Sequence, residues 1–127
     1  MLICIHYSYS IHLSGLTLEN HASIEGMAEW GCRTVHNLVQ VDGIMGKMRN
    51  AGLCEMVVSC VQRQAISPIV CGYGCLAIGD LAMDTNNHTR LIDSGACIVV
   101  YVCMLQCVAL WRIISFLSIP VHDIYLL

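Results

Sequence analysis

The sequence predicts an all-α chain assembled from a repeated helical unit. The first observation is a copy: Trp30 to Val61 falls without a gap onto Tyr73 to Met104, 43 residues further on. Gly31, Cys32, Leu38, Gly52, Cys54, Val57 and Cys60 meet Gly74, Cys75, Leu81, Gly95, Cys97, Val100 and Cys103, and Val35/Ile78, Lys47/Arg90 and Met48/Leu91 are conservative matches in the same register. The second observation is apolar spacing close to i, i+3, i+4, i+7 through most of the chain. The third is a glycine, Gly52 and again Gly95, between two helical stretches, where a residue tolerant of positive φ permits a tight reversal. A helical repeat of this length is the signature of a solenoid.

Residues 2–14 depart from this pattern. Ile3, Ile5, Tyr7, Tyr9, Ile11 and Leu13 alternate with Cys4, His6, Ser8, Ser10, His12 and Ser14, the period of a half-buried strand. We therefore read residues 1–20 as an irregular or strand-like extension. Three explanations stay open: it pairs elsewhere, it is helical through tertiary context, or it comes from a wrongly predicted first exon. It lacks the basic start and continuous apolar core of a secretory signal.

Two units follow over residues 21–106, spanning about 21–64 and 65–106. Helical spacing runs from His21 to Val41, with Asn20 and Ser23 both possible N-caps. Asp42-Gly43 ends that helix, since glycine supplies the left-handed residue that closes many helices. A short basic helix, Ile44–Asn50, reaches Ala51-Gly52, and Leu53–Gln64 follows with Met56, Val57, Cys60 and Val61 facing inward. Ser67-Pro68 opens the second unit, proline suiting the first helical turn. Helix Ile69–Met83, a polar turn at Asp84–Asn87, short helix His88–Asp93, the Ser94-Gly95 break and helix Ala96–Gln106 repeat the order. The third helix of each unit thus ends near residues 40 and 83.

Beyond Gln106 the register is lost, and residues 107–127 read as a degenerate partial repeat or tail. Val108 to Leu117 fits the third helix of a further unit whose preceding linker has been deleted. Alternatively, 96–119 is one apolar run of 24 residues, long enough to span a bilayer and stopped by Pro120. Against the span, Leu53–Val61, its counterpart, contains Glu55 and is followed by Arg63. Arg112 inside a span would cost up to roughly 2.5–3.5 kcal/mol.

Composition narrows the function classes. The chain is 57% hydrophobic and 12% charged, against roughly 45–50% and about 25% in soluble proteins. That skew implies membrane contact, obligate assembly, or apolar faces that expect neighbours. A net charge of −3 with only six scattered Lys and Arg leaves no basic stripe to neutralise phosphates, which excludes a nucleic-acid partner. Nine cysteines invite a metal or redox reading. However, six of them are repeat-equivalent pairs (Cys32/Cys75, Cys54/Cys97, Cys60/Cys103), as small core residues would be. No CxxC occurs, and the i,i+4 pairs Cys71/Cys75 and Cys103/Cys107 have no nearby His to complete a zinc signature. Buried reduced thiols place the chain in the cytoplasm.

With the unit laid out, the chain resembles the armadillo repeat family. KMRNAGLCEMVV and TRLIDSGACIVV stand for a short first helix, a glycine turn and a second helix; CRTVHNLV and CLAIGDLA stand for the ends of the third helix. The resemblance covers roughly residues 27–105, and the spacing lies within the roughly 40–47 residues of such repeats. It implies a right-handed superhelical solenoid of three-helix repeats whose third helices line a concave groove. In peptide-binding members an Asn near the end of each third helix bonds the partner's backbone, and a Trp one turn earlier builds pockets. Asn37 matches that Asn in the first unit; in the second the position is Asp80, an acceptor without the amide donor. The Trp positions hold Arg33 and Leu76, and Trp111 and Ser115 would take the two positions of a third unit if a deletion is allowed. Asn37 serves equally well as a local helix-capping residue. Asp80 is expected to accept from a backbone N–H or water, Trp30 and Tyr73 to pack between units, and His36 and His88 to face solvent.

No nucleophile has a base and orienter, no phosphate loop follows a strand, and carboxylates are scattered, so no enzyme and no cofactor are expected. The leading expectation is an interaction scaffold whose partner is another protein or peptide. A small membrane-anchored protein using 96–119, and a cysteine-based metal or redox protein, are the alternatives. Because repeats bury their faces only by stacking, two clear units predict a fragment of a longer array or self-association through exposed repeat ends.

Overall fold

The structure is a computed structural model that describes residues 2–116, with side chains from residue 6 to 109 and at Arg112. It is all-helical, with no strand among the described residues: α1 (Leu2–Asn20), α2 (Glu25–Val39), α3 (Met45–Asn50), α4 (Leu53–Arg63), α5 (Pro68–Leu81), a 3-10 turn at Thr85–Asn87, α6 (His88–Asp93) and α7 (Ala96–Phe116). The all-α class is as expected from the sequence.

Local chemistry sets most boundaries. Ser67 has extended backbone, its hydroxyl accepts from the Val70 N–H at 3.4 Å, and Pro68 occupies the first turn of α5, where no intrahelical N–H is needed. Gly52 and Gly95 sit at φ 76° and 88° between the short helices and α4 or α7. For any other residue that left-handed backbone costs roughly 1–2 kcal/mol. Neither Asn20 nor Ser23 caps α2; Ile24 holds that position with extended backbone and no side-chain bond.

Packing centres on α4, which touches α1, α2, α3, α5, α6 and α7, while α2 and α5 lie side by side. Leu53, Cys54, Val57, Val58, Cys60 and Val61 of α4 are all fully buried. Neighbour relations recur along the chain: α1 packs on α2 as α4 packs on α5, α1 on α4 as α4 on α7, and α3 on α4 as α6 on α7. The same recurrence reaches single atoms. A Cβ at Gly31 would lie 2.7 Å from Leu18 Cδ2, and one at Gly74 would lie 2.1 Å from Val61 Cγ2. Leu18/Val61 and Gly31/Gly74 are equivalent in the repeat register, so both helix pairs cross at the same glycine.

Residues 2–20 are therefore not strand-like. They form a helix whose buried residues Ile11, Ser14, Thr17 and Leu18 are the register equivalents of Cys54, Val57, Cys60 and Val61. The alternation misleads because hydroxyls can be turned inward once their bonds are met locally. Ser14 Oγ donates to the Ser10 carbonyl at 2.7 Å, and Thr17 Oγ1 to the Leu13 carbonyl at 2.9 Å. Of the three explanations left open, helix through tertiary context is the one the packing supplies.

α7 departs from expectation at its other end. It runs on past Gln106 to Phe116 as one helix instead of turning back. Residues 117–127, including the VHDIYLL tail, lie outside the described residues.

Candidate functional site

The candidate surface is the outer face of α2 and α5. Arg33 and Asn37 on α2 are exposed, as is Leu76 on α5, whereas Asp80 is half-buried. These four share one side of the helix pair. Trp111 and Ser115 do not join them: both stand on α7, continuous from Ala96, so no third helix carries them beside α5, and their side chains lie outside the described residues.

Asp80 has a partner the sequence did not disclose. The His36 ring Nδ1–H donates to Asp80 Oδ2, tying α2 to α5 across a separation of 44 residues. His36 is thus half-buried at the helix interface and not free in solvent, while His88 is exposed, with Nε2 2.8 Å from the Ala82 carbonyl. Arg33 reaches Glu29 at 3.4 Å, and its guanidinium lies 5.1 Å from the Tyr73 ring centre. Tyr73 is accordingly a packing residue between helices. Trp30, its register equivalent, remains 46% exposed. Ile69, Gly72, Tyr73 and Leu76 line a shallow depression on α5 beside these groups.

Further polar bridges join successive units. Gln64 Nε2–H donates to the Ala22 carbonyl at 2.8 Å, Ser67 Oγ–H to Glu25 Oε1 at 2.5 Å, and Arg90 Nη1–H to the Arg49 carbonyl at 2.8 Å. Their separations of 42, 42 and 41 residues track the repeat. Hydrogen bonds of this kind contribute about 0.5–1.5 kcal/mol net each, and their spacing favours one stacking register. Arg49 also donates to Asp84 Oδ2 at 2.8 Å. The Asn86 backbone N–H and then that guanidinium hold the Asp84 carboxyl below its ordinary range.

The cysteines are a packing cluster. Cys32, Cys54, Cys60, Cys71 and Cys103 are buried and Cys75 is half-buried. Contact with Cys60 and burial push the Cys32 thiol far up, and burial, with help from Cys103, pushes Cys71 to about 12. Thiols raised in this way are poor nucleophiles and poor metal ligands, whereas contact with Cys32 pulls the Cys60 thiol down. Cys97 breaks the pattern: it is exposed, although its equivalent Cys54 is fully buried. Among the described residues no group of three or more His, Cys, Asp or Glu is arranged to hold a metal ion.

Chemically, the α2–α5 face offers hydrogen-bond donors at Arg33 and Asn37 beside apolar Leu76. Among the described residues no single helix is long and apolar enough to cross a membrane; Thr85–Asp93 with Ala96–Ala109 pass together but are bent by 75°. No protein-family model matches the chain, and no curated protein or solved structure matches it.

Proposed function

We propose that the chain is a protein-interaction scaffold of armadillo type, a right-handed superhelical solenoid that binds a protein or peptide on the face made by α2 and α5. The supporting observation is the exposed pairing of Asn37 and Arg33 with Leu76 on two parallel third helices. Stacked helical repeats create extended surfaces of this sort. The His36–Asp80 pair on this face is spent in tying α2 to α5, so the reading is of binding without catalysis, in a cytoplasmic setting where thiols stay reduced. Because Asp80 is engaged by His36, Asn37 supplies the amide contact alone, and recognition leans on Arg33 and the apolar depression around Leu76.

Selection of a displayed peptide library against the immobilised protein tests this. The expected outcome is enriched peptides whose affinity falls about tenfold, or ~1.4 kcal/mol, with Asn37→Ala or Leu76→Ala and is unchanged with Glu19→Ala on α1. Peptides indifferent to both face substitutions, or no enrichment at all, would reject the reading.

A further inference from the structure

We propose that the groove between α5 and α7 is a docking site for an apolar α-helix from another polypeptide, seated as α5 is seated between α2 and α4. The observation behind this is a mismatch between register equivalents. Val58 and Val61 on α4 are fully buried, and Val61 owes its cover to α5, which crosses it at Gly74. Their counterparts Tyr101 and Met104 on α7 are 62% and 61% exposed, and Cys97 is exposed where Cys54 is buried. No described helix lies over them.

The open groove continues an interface already present in the molecule. At one end a cavity is lined by Pro68 and Cys71 of α5 and by Cys103 and Cys107 of α7. At the other, a second cavity is lined by Ile78 of α5 and Ala82 just past its end, Leu91 and Ile92 of α6, and Cys97 and Val100 of α7. One unit earlier, the equivalent residues are covered by α5 and the turn that follows it, and that cover is 14 residues of helix, about 21 Å long.

The occupant's chemistry follows from what α5 does. Glu25–Ser67 joins the N-terminal ends of α2 and α5, and His36–Asp80 joins their C-terminal ends, so the two helices run parallel. A docked helix therefore runs parallel to α5, with its N-terminus at Pro68 and Cys107 and its C-terminus at Ile92 and Cys97. It needs a glycine or alanine where it crosses Met104, as Gly74 crosses Val61. The charged hooks are absent: Glu25, Arg33 and His36 become Pro68, Leu76 and Gly79 in register. The partner is then apolar along this side, not acidic or basic. This site stands apart from the α2–α5 face, and Asn37→Ala is expected to leave it intact.

The probe is a fluorescent peptide of residues 66–84 carrying lysines at both ends for solubility, followed by anisotropy against the full chain. Saturable binding is expected, weakened at least tenfold when the protein carries Met104→Glu or the peptide carries leucine at its Gly74 position. Circular dichroism of the Met104→Glu protein controls for folding. Absence of saturable binding, or equal binding by the glycine and leucine peptides, overturns the proposal. A concentration-dependent dimer in light scattering that excess peptide dissociates would assign the groove to a second copy and overturn it equally.

Discussion

At the scale of single residues, glycine does two separable jobs in this chain. Gly52 and Gly95 supply positive φ at equivalent turns, whereas Gly31 and Gly74 supply room for Leu18 and Val61. Gly79 does neither: it lies in α5 with open space where a Cβ would be. Alanine substitutions should therefore diverge in denaturant titrations. Gly52→Ala and Gly95→Ala should each destabilise by roughly 1–2 kcal/mol through backbone strain. Gly74→Ala should cost about 1–3 kcal/mol by overpacking against Val61. Gly79→Ala should stabilise by about 0.5–1 kcal/mol, since alanine suits a helix interior better. Equal effects at all four would remove the distinction.

At the scale of elements, the short helices and α4 to α6 were legible from sequence to within two residues at each end, because Gly43, Gly52, Ser67-Pro68 and Gly95 punctuate them chemically. α1 was not legible. Its buried face includes Ser14 and Thr17, which no hydropathy pattern marks as core, and only the bonds to Ser10 and Leu13 make their burial tolerable. Leu18→Ala should accordingly cost about 2–5 kcal/mol, as deletion of a packed core leucine does. Leu16→Ala, on the 41% exposed side, should cost far less. The turn before α6 adds a pH dependence. Asp84, held below its ordinary range by the Asn86 N–H and Arg49, stabilises the folded state at neutral pH. Because the folded state favours the carboxylate, that contribution is lost as pH falls from about 4 through the lower folded-state value. Urea midpoints measured from pH 7 downward should fall less steeply for Asp84→Asn than for the wild type.

At the scale of the whole molecule, one step of 43 residues sets both sequence and packing. Trp30–Val61 against Tyr73–Met104 displays that step in the sequence. Its extension back to α1 appears only in packing, where Leu18 meets Gly31 as Val61 meets Gly74. The candidate face was half legible. Asn37, Arg33 and Leu76 fall together on it, but the His36–Asp80 contact depends on α2 and α5 lying parallel, which no local signal encodes. Trp111 and Ser115 were placed on a helix that does not turn back where the repeat would require. The same continuity of α7 leaves Tyr101 and Met104 uncovered. Proton NMR with methyl labelling addresses the repeat itself. Two cross-peaks are expected, Leu18 methyl to Gly31 Hα and Val61 methyl to Gly74 Hα. Observation of the second without the first would contradict a repeat that begins at α1, because α1 would then lie outside the unit that defines the molecule.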